Sequence, residues 1–210
     1  MITLTAGEIG LLVGGEMHCD KDLLVSKAPV FDSRKAVPGC IFLALQGEVV
    51  DGHDFAADAY RAGAMFSLTT KRIDGPCIVV EDVIDALSVL ATFVRKRLTN
   101  LTVIGITGSQ GKTSTKDLMS HMLAAVGPTV SPAGSFNNDL GLPITLLECD
   151  EKTRFCILEM GARHSGDIAR LCGIAAPNIG VVLTVGTAHI GEFGSREIIA
   201  KTKGALIESL

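Results

Sequence analysis

Ile104-Gly105-Ile106-Thr107-Gly108-Ser109-Gln110-Gly111-Lys112-Thr113-Ser114 carries the most constrained local chemistry of the sequence. An apolar, β-branched run (Thr102, Val103, Ile104, Ile106) enters a glycine turn. A helical pattern leaves it from Thr113 to Val126 and stops at Gly127-Pro128. The pattern predicts strand, loop and helix in that order. Gly108 and Gly111 carry no Cβ, so backbone N–H groups can converge on a phosphate at the helix start, where the helix dipole also favours an anion. Lys112 adds a mobile positive charge for β- and γ-phosphates, and the Thr113 hydroxyl is placed for Mg²⁺. The strict phosphate-loop spacing asks for glycine where this chain has Ile106, so Gly-x-x-Gly-Lys-Thr is a shorter form.

Outward from that stretch, 210 residues with 47% apolar and 20% charged side chains describe a globular chain able to bury a core. The net charge of −4 and the lack of long like-charge blocks argue against a nucleic-acid or anionic-membrane surface. No apolar run approaches the ~20 residues of a spanning helix, and no basic-then-apolar leader opens the chain, so a cytoplasmic protein without membrane insertion is expected. The six cysteines show no C-x-x-C spacing and are expected to be buried, reduced thiols.

In the N-terminal part, a short helix is predicted from Thr5 to Leu12 and strands at 40–45, 64–68 and 77–80. A helix is expected from Asp54 to Arg61 and a long amphipathic one from Val83 to Leu98. Asp32-Ser33-Arg34 suits a bidentate contact to a diphosphate, or equally a solvated turn. His53 reads either as a ligand contact or as part of a helix start.

From residue 99 onward strand and helix alternate: strands at 102–106, 154–158 and 179–184, helices at 113–126, 165–172 and 195–209. Connections of that length imply a parallel sheet, whose ligands sit at the carboxyl ends of the strands. The phosphate loop, Glu159 and the Thr187–His189 segment all lie at those ends. Glu159 after a buried strand needs compensation, from Mg²⁺ or from loop amides. His189 is compatible with a metal or substrate contact. Lys201 and Lys203 flank a predicted face of Ile198, Ile199, Thr202, Ala205 and Leu206; the helical wheel does not choose between them, and charge alone leaves both solvated.

The short loop, with Gln110 where Asn is commoner, resembles that of the Mur ligase family of ATP-dependent amide ligases. Asp32-Ser33-Arg34 with Pro38-Gly39, Phe42-x-Ala44-Leu45-x-Gly47 and Asp51-Gly52-His53-x-Phe55 are similar to the family's UDP-sugar-binding domain. Ser135-Phe136-Asn137-Asn138, Gly141-Leu142-Pro143, Leu158-Glu159-Met160-Gly161-Ala162-Arg163-His164 and His189-x-x-x-Phe193-Gly194-Ser195 resemble the member that adds D-alanyl-D-alanine to UDP-N-acetylmuramoyl-tripeptide. The resemblance implies an α/β protein with a small UDP-sugar-binding domain over residues 1–98. A parallel-sheet phosphate-loop ATPase domain, incomplete, would follow over residues 99–210.

By the same resemblance, Thr107, Gly108, Ser109, Gln110, Gly111, Lys112, Thr113 and Ser114 bind ATP, and one of Asn137 and Asn138 faces the nucleotide or metal. Ser33, Arg34, Gly47, Asp51, His53 and Arg163 are expected to contact the substrate. Lys112, Lys203 and His189 are the expected catalytic residues, with Thr113, Glu159, His189 and a carbamylated Lys203 around Mg²⁺. Ala205 departs from the Glu usual beside that lysine. The implied reaction belongs to peptidoglycan precursor synthesis, and through it to cell-wall biogenesis, cell shape and cell division, in a monomer. The family has a further C-terminal domain that this chain lacks, so a truncated form is expected, binding ligands weakly and ligating poorly. Another Mur-type amino-acid ligase, or a non-catalytic UDP-sugar and nucleotide-binding module, are the alternatives; a GTPase is disfavoured by the absence of Asn-Lys-x-Asp.

Overall fold

Thr5 closes a capping box with Glu8 at the start of the first helix, and Gly14 ends that helix in the left-handed conformation at φ 65°. In the computed structural model, which describes residues 1–188 and 190–210, the chain divides into two units, Met1–Leu90 and Ala91–Leu210. The first unit runs β1 (Leu4–Thr5), α1 (Ala6–Val13), β2 (Glu16–His18), β3 (Leu24–Val25), β4 (Ile41–Leu43), α2 (Ala56–Ala62), β5 (Phe66–Thr69) and β6 (Cys77–Val79), and α3 (Val83–Arg97) leads into the second unit. Short 3₁₀ turns at Ser33–Lys35 and Gly52–Phe55 precede β4 and α2.

Four strands of this unit form one sheet in the order β2-β6-β5-β4, with β4, β5 and β6 parallel and β2 antiparallel at the edge. Beneath it, Phe42, Cys40, Ala44, Ala56 and Ala59 make a core that the small alanine side chains allow α2 to approach closely.

The second unit contains β7 (Thr102–Thr107), α4 (Lys112–Ala124), β8 (Thr129–Val130), α5 (Gly141–Leu147), β9 (Phe155–Glu159), α6 (Asp167–Ala175), β10 (Ile179–Val182), α7 (Ile190–Phe193) and α8 (Arg196–Glu208). Its sheet has the order β10-β7-β9-β8 and is parallel throughout. Alternation along β7 assigns its two faces. Ile104 and Ile106 pack with Ile157, Met119 and Leu123 on the α4 side, each fully buried side chain contributing about 1.5–3 kcal/mol. Gly105 points the other way, where an added Cβ would lie 2.9 Å from Leu206 of α8. Helices therefore cover both faces. The chain leaves β7 toward β8 and leaves β9 toward β10, in opposite directions across the sheet, and the crevice between the carboxyl ends of β7 and β9 is a topological switch point.

The division at Leu90 falls within α3, whereas the sequence places the boundary after Leu98. Arg95 lies on the second unit's side of that division. From the last turns of α3 it donates to the carbonyls of Ala175 (2.9 Å) and Ala176 (3.0 Å) and to Asn178 Oδ1 (3.1 Å), which fastens this end of the helix to the second unit.

All six cysteines are free; five are buried, and Cys19 is partly exposed rather than buried. Among the described residues, no helix is long and apolar enough to cross a membrane.

Candidate nucleotide site

Gly111 caps the start of α4 at φ 84°, a conformation costly for any side chain, and among the described residues no side-chain hydrogen bond caps this helix start. The loop before it is braced from the end of β10. Ser109 N donates to the Thr184 carbonyl at 2.9 Å, Gln110 N to Thr184 Oγ1 at 3.3 Å, and Gly186 N to Ser109 Oγ at 2.9 Å. No motif in the sequence marks Thr184 and Gly186, although a strand adjacent to β7 in a parallel sheet has to end beside the loop. Lys112 bends back so that its Nζ donates to the Gly108 carbonyl at 2.9 Å. Thr107 is buried, and its hydroxyl ties β7 to the Met160 carbonyl at 2.9 Å. Gln110 and Ser114 stay exposed.

At the end of β9, Glu159 is only 1% exposed. Thr113 Oγ1 donates to its Oε2 at 2.9 Å and Asn137 Nδ2 to its Oε1 at 2.8 Å. Both donors are neutral, and among the described residues the carboxylate has no ion pair. A buried anion so placed is what a cation would relieve. Asn138 instead supports the start of α5, where its Oδ1 accepts the Gly141 N–H at 2.9 Å. Of the two asparagines, Asn137 therefore meets the acidic group.

Lys203 is 3% exposed, which corrects the solvated position that charge alone assigns to it; Lys201 is exposed. The buried face of α8 is Ile199, Thr202, Lys203 and Leu206, while Ile198 is exposed, so the face is rotated from the one predicted. Burial lowers the Lys203 pKa below the ordinary lysine value, and the nearby Lys112 charge lowers it further. Both lysines line a cavity of about 630 Å³, together with Gly108, Ser109, Asn137, Asn138, Arg163 and Arg170. Arg163 is exposed, and the Asp167 carboxylate accepts the Arg163 and His164 amides at 2.9 and 2.8 Å. Arg170 pairs with Asp139. His189 lies outside the described residues.

The residues proposed for substrate in the first unit form two separate arrangements. Asp32 caps the Ser33–Lys35 turn, and both its oxygens receive the Arg34 guanidinium, at 2.8 and 2.7 Å. Arg34 holds the Asp32 carboxyl down to about 2, yet its own side chain is 86% exposed. Ser33 is buried beneath it. His53 is 7% exposed, and both ring nitrogens have partners within the chain: Nδ1 faces Asp51 Oδ1, and Nε2 accepts the Thr70 N–H at 3.3 Å. His53 thus lies within the Gly52–Phe55 turn with its ring partnered inside the chain. Asp51 also accepts Lys71 Nζ at 2.7 Å, which drives its pKa well below the usual carboxylate range. Gly47 donates to the Val50 carbonyl at 3.0 Å in a turn where a Cβ would meet that oxygen.

The donor set fits a nucleotide with a divalent ion. An uncapped helix start and two lysines suit phosphates, and one carboxylate with one hydroxyl is what Mg²⁺ takes from protein when phosphates complete its shell. Among the described residues, no group of three or more His, Cys, Asp and Glu side chains is gathered for a metal held by protein alone.

An open parallel sheet with a glycine turn feeding a helix at its switch point defines a phosphate-loop α/β domain. Residues 106–210 match the Mur ligase middle domain, and residues 30–86 match the Mur ligase family catalytic domain. The chain belongs to the Mur ligase family. It is 48% identical, over its whole length, to the UDP-N-acetylmuramoyl-tripeptide--D-alanyl-D-alanine ligase of Mycobacterium tuberculosis, of which it covers 47%. A crystal structure of MurF from Acinetobacter baumannii superposes with a TM-score of 0.88 at 35% identity, over 99% of this chain and 47% of that one. MurF ligase from Thermotoga maritima in complex with ADP superposes with a TM-score of 0.76 at 36% identity, over 87% of this chain and 43% of that one. The chain thus spans about half the length of the curated relatives it matches.

Proposed function

We propose that this chain is the UDP-sugar- and nucleotide-binding portion of an ATP-dependent amide ligase of peptidoglycan precursor synthesis. The ligase joins D-alanyl-D-alanine to UDP-N-acetylmuramoyl-tripeptide. The observation that carries the reading is the buried Glu159 carboxylate, held by Thr113 and Asn137 beside an uncapped, lysine-bearing helix start. The 48% identity to a ligase of that specificity supports the choice of substrates. ATP binding is further supported by the ADP-bound relative. An ATP-driven reaction on a nucleotide-linked sugar belongs in the cytoplasm.

In the mechanism, the loop amides from Gly108 to Thr113 bind the phosphates, and the Lys112 ammonium exchanges the Gly108 carbonyl for a phosphate oxygen. A substrate carboxylate oxygen bonds to the γ-phosphorus while the bond to the ADP oxygen breaks, giving an acyl phosphate. The dipeptide amine then bonds to the acyl carbon, phosphate leaves, and the amine's proton is lost. Negative charge gathers at each step, and the Lys112 ammonium and the loop amides offset it. Thr113, Glu159 and a carbamylated Lys203 would hold magnesium, which when bound supplies neutralisation of the β- and γ-phosphates. Burial and the Lys112 charge favour the neutral Lys203 amine that carbamylation requires. In the first unit, Ser33 and the exposed Arg34 are the proposed contacts to the uridine diphosphate.

Calorimetric titration of the chain with Mg·ADP and with UDP-N-acetylmuramoyl-tripeptide tests the proposal. Both ligands are expected to bind wild type. Lys112→Ala should abolish the first and Arg34→Ala the second, each without disturbing the other. Absence of tripeptide binding to wild type would remove the substrate assignment.

A further inference from the structure

One turn beyond the phosphate loop, α4 carries a second lysine with no counterpart in the mechanism above. Lys116 is 2% exposed. Its Nζ donates to the carbonyls of Pro132 (2.7 Å) and Gly134 (3.2 Å) and pairs with the Asp117 carboxylate at 2.7 Å. Burying a lysine amine is costly unless such partners offset it. Two of these partners are main-chain oxygens of the irregular segment between β8 and α5. Gly134 takes φ 72° there. A hydroxyl contact between Ser120 and Ser131, 2.8 Å, ties the same segment to α4 one turn later.

The far end of that segment delivers Asn137 to Glu159. From the β9 side, Gly161 N donates to the Asn137 carbonyl at 2.8 Å, and a Cβ on Gly161 would lie 2.8 Å from Asn137 Oδ1. Asn137 is thus held between a clasp from α4 and a close backbone approach from β9. We propose that Lys116 is a positioning residue. It clasps the 131–137 segment so that the Asn137 amide keeps the Glu159 carboxylate in the orientation a divalent cation and nucleotide require. The ligand half of this inference rests on the nucleotide reading above; the clasp half is independent of it.

The test uses the full chain with Lys116→Met, which keeps the aliphatic stem, and Lys116→Arg, which restores donors. In the free protein, hydrogen exchange at residues 133–141 and at the Gly161 amide should accelerate in Lys116→Met and return toward wild type in Lys116→Arg. Exchange in α4 and at the centre of β9 should be unchanged. In titrations with ADP, the gain in affinity that Mg²⁺ confers should fall about 10- to 100-fold, the usual effect of losing a group that orients a metal ligand. Affinity without Mg²⁺ should hold. Adding Asn137→Ala to Lys116→Met should cost nothing further, because both act through one carboxylate.

Unchanged exchange in the segment overturns the clasp. Equal losses with and without Mg²⁺, or additive losses with Asn137→Ala, overturn the link to Glu159. Failure of wild type to bind ADP at all overturns the nucleotide reading instead, and the exchange comparison then judges the clasp alone. Should Lys116→Met fail to fold, Lys116→Gln, which keeps one donor, carries the same comparison.

Discussion

Glu159 places its carboxyl group between a hydroxyl and an amide, with almost no access to water. An acidic group buried there without a cation is tolerated in the free protein rather than stabilising it. Glu159→Gln, of the same shape, can still accept from Asn137 and donate to Thr113. The variant is therefore expected to keep or raise its urea midpoint while losing the Mg²⁺-dependent part of ADP affinity; a lowered midpoint with binding retained would contradict this account. Asp32 offers the opposite case, a carboxylate whose charged form the fold favours. Its pKa is held down to about 2 from 3.8, chiefly by the Arg34 side chain. The contribution is therefore complete above 3.8 and is lost as the pH falls toward 2. Asp32→Asn should be less stable than wild type at neutral pH, and the gap should close in acid, as read from urea titrations across that window.

Among the elements, α4 depends most on a single backbone conformation. Gly111→Ala puts a side chain at φ 84° and should cost about 1–2 kcal/mol in chemical unfolding, with a larger loss in nucleotide affinity because the loop amides would turn away. The helix itself and strands β7, β9 and β10 were legible in the sequence, since long apolar runs and a Gly-Lys-Thr turn leave few alternatives. α5 was not: Gly141 and Pro143 sit in its first turn and mask the helical pattern, although Pro is well tolerated where helix amides lack partners. The phosphate loop and Glu159 were readable because a motif and a strand end fix them. The burial of Lys203 was not, since its wheel position is no better than that of Lys201, and only packing of α8 against the sheet separates the two. Lys116 was invisible for a related reason. A lysine on an amphipathic helix normally reaches solvent, and its burial comes from a loop that folds over it.

For the whole molecule, composition supplies a probe. The sequence has no Trp and a single Tyr, Tyr60, which lies in the first unit and donates to the Pro76 carbonyl at 2.8 Å. Tyrosine fluorescence therefore follows the first unit, whereas circular dichroism follows both. Arg95→Ala strips donors from Ala175, Ala176 and Asn178 and should lower the stability of the second unit by about 1–3 kcal/mol. Its dichroism transition should shift to lower urea while the Tyr60 signal stays; a common shift of both signals would mean that the units unfold as one.

Because every strand of the second sheet runs the same way, its two rims are unlike. The phosphate-loop turn, Glu159 and Thr184 stand at one rim, and at the other the chain merely turns, as at the exposed Glu151-Lys152 corner before β9. That corner is a natural handle. A surface coupling or an affinity peptide grafted there would hold the second unit's sheet by the rim opposite the one proposed to receive a ligand.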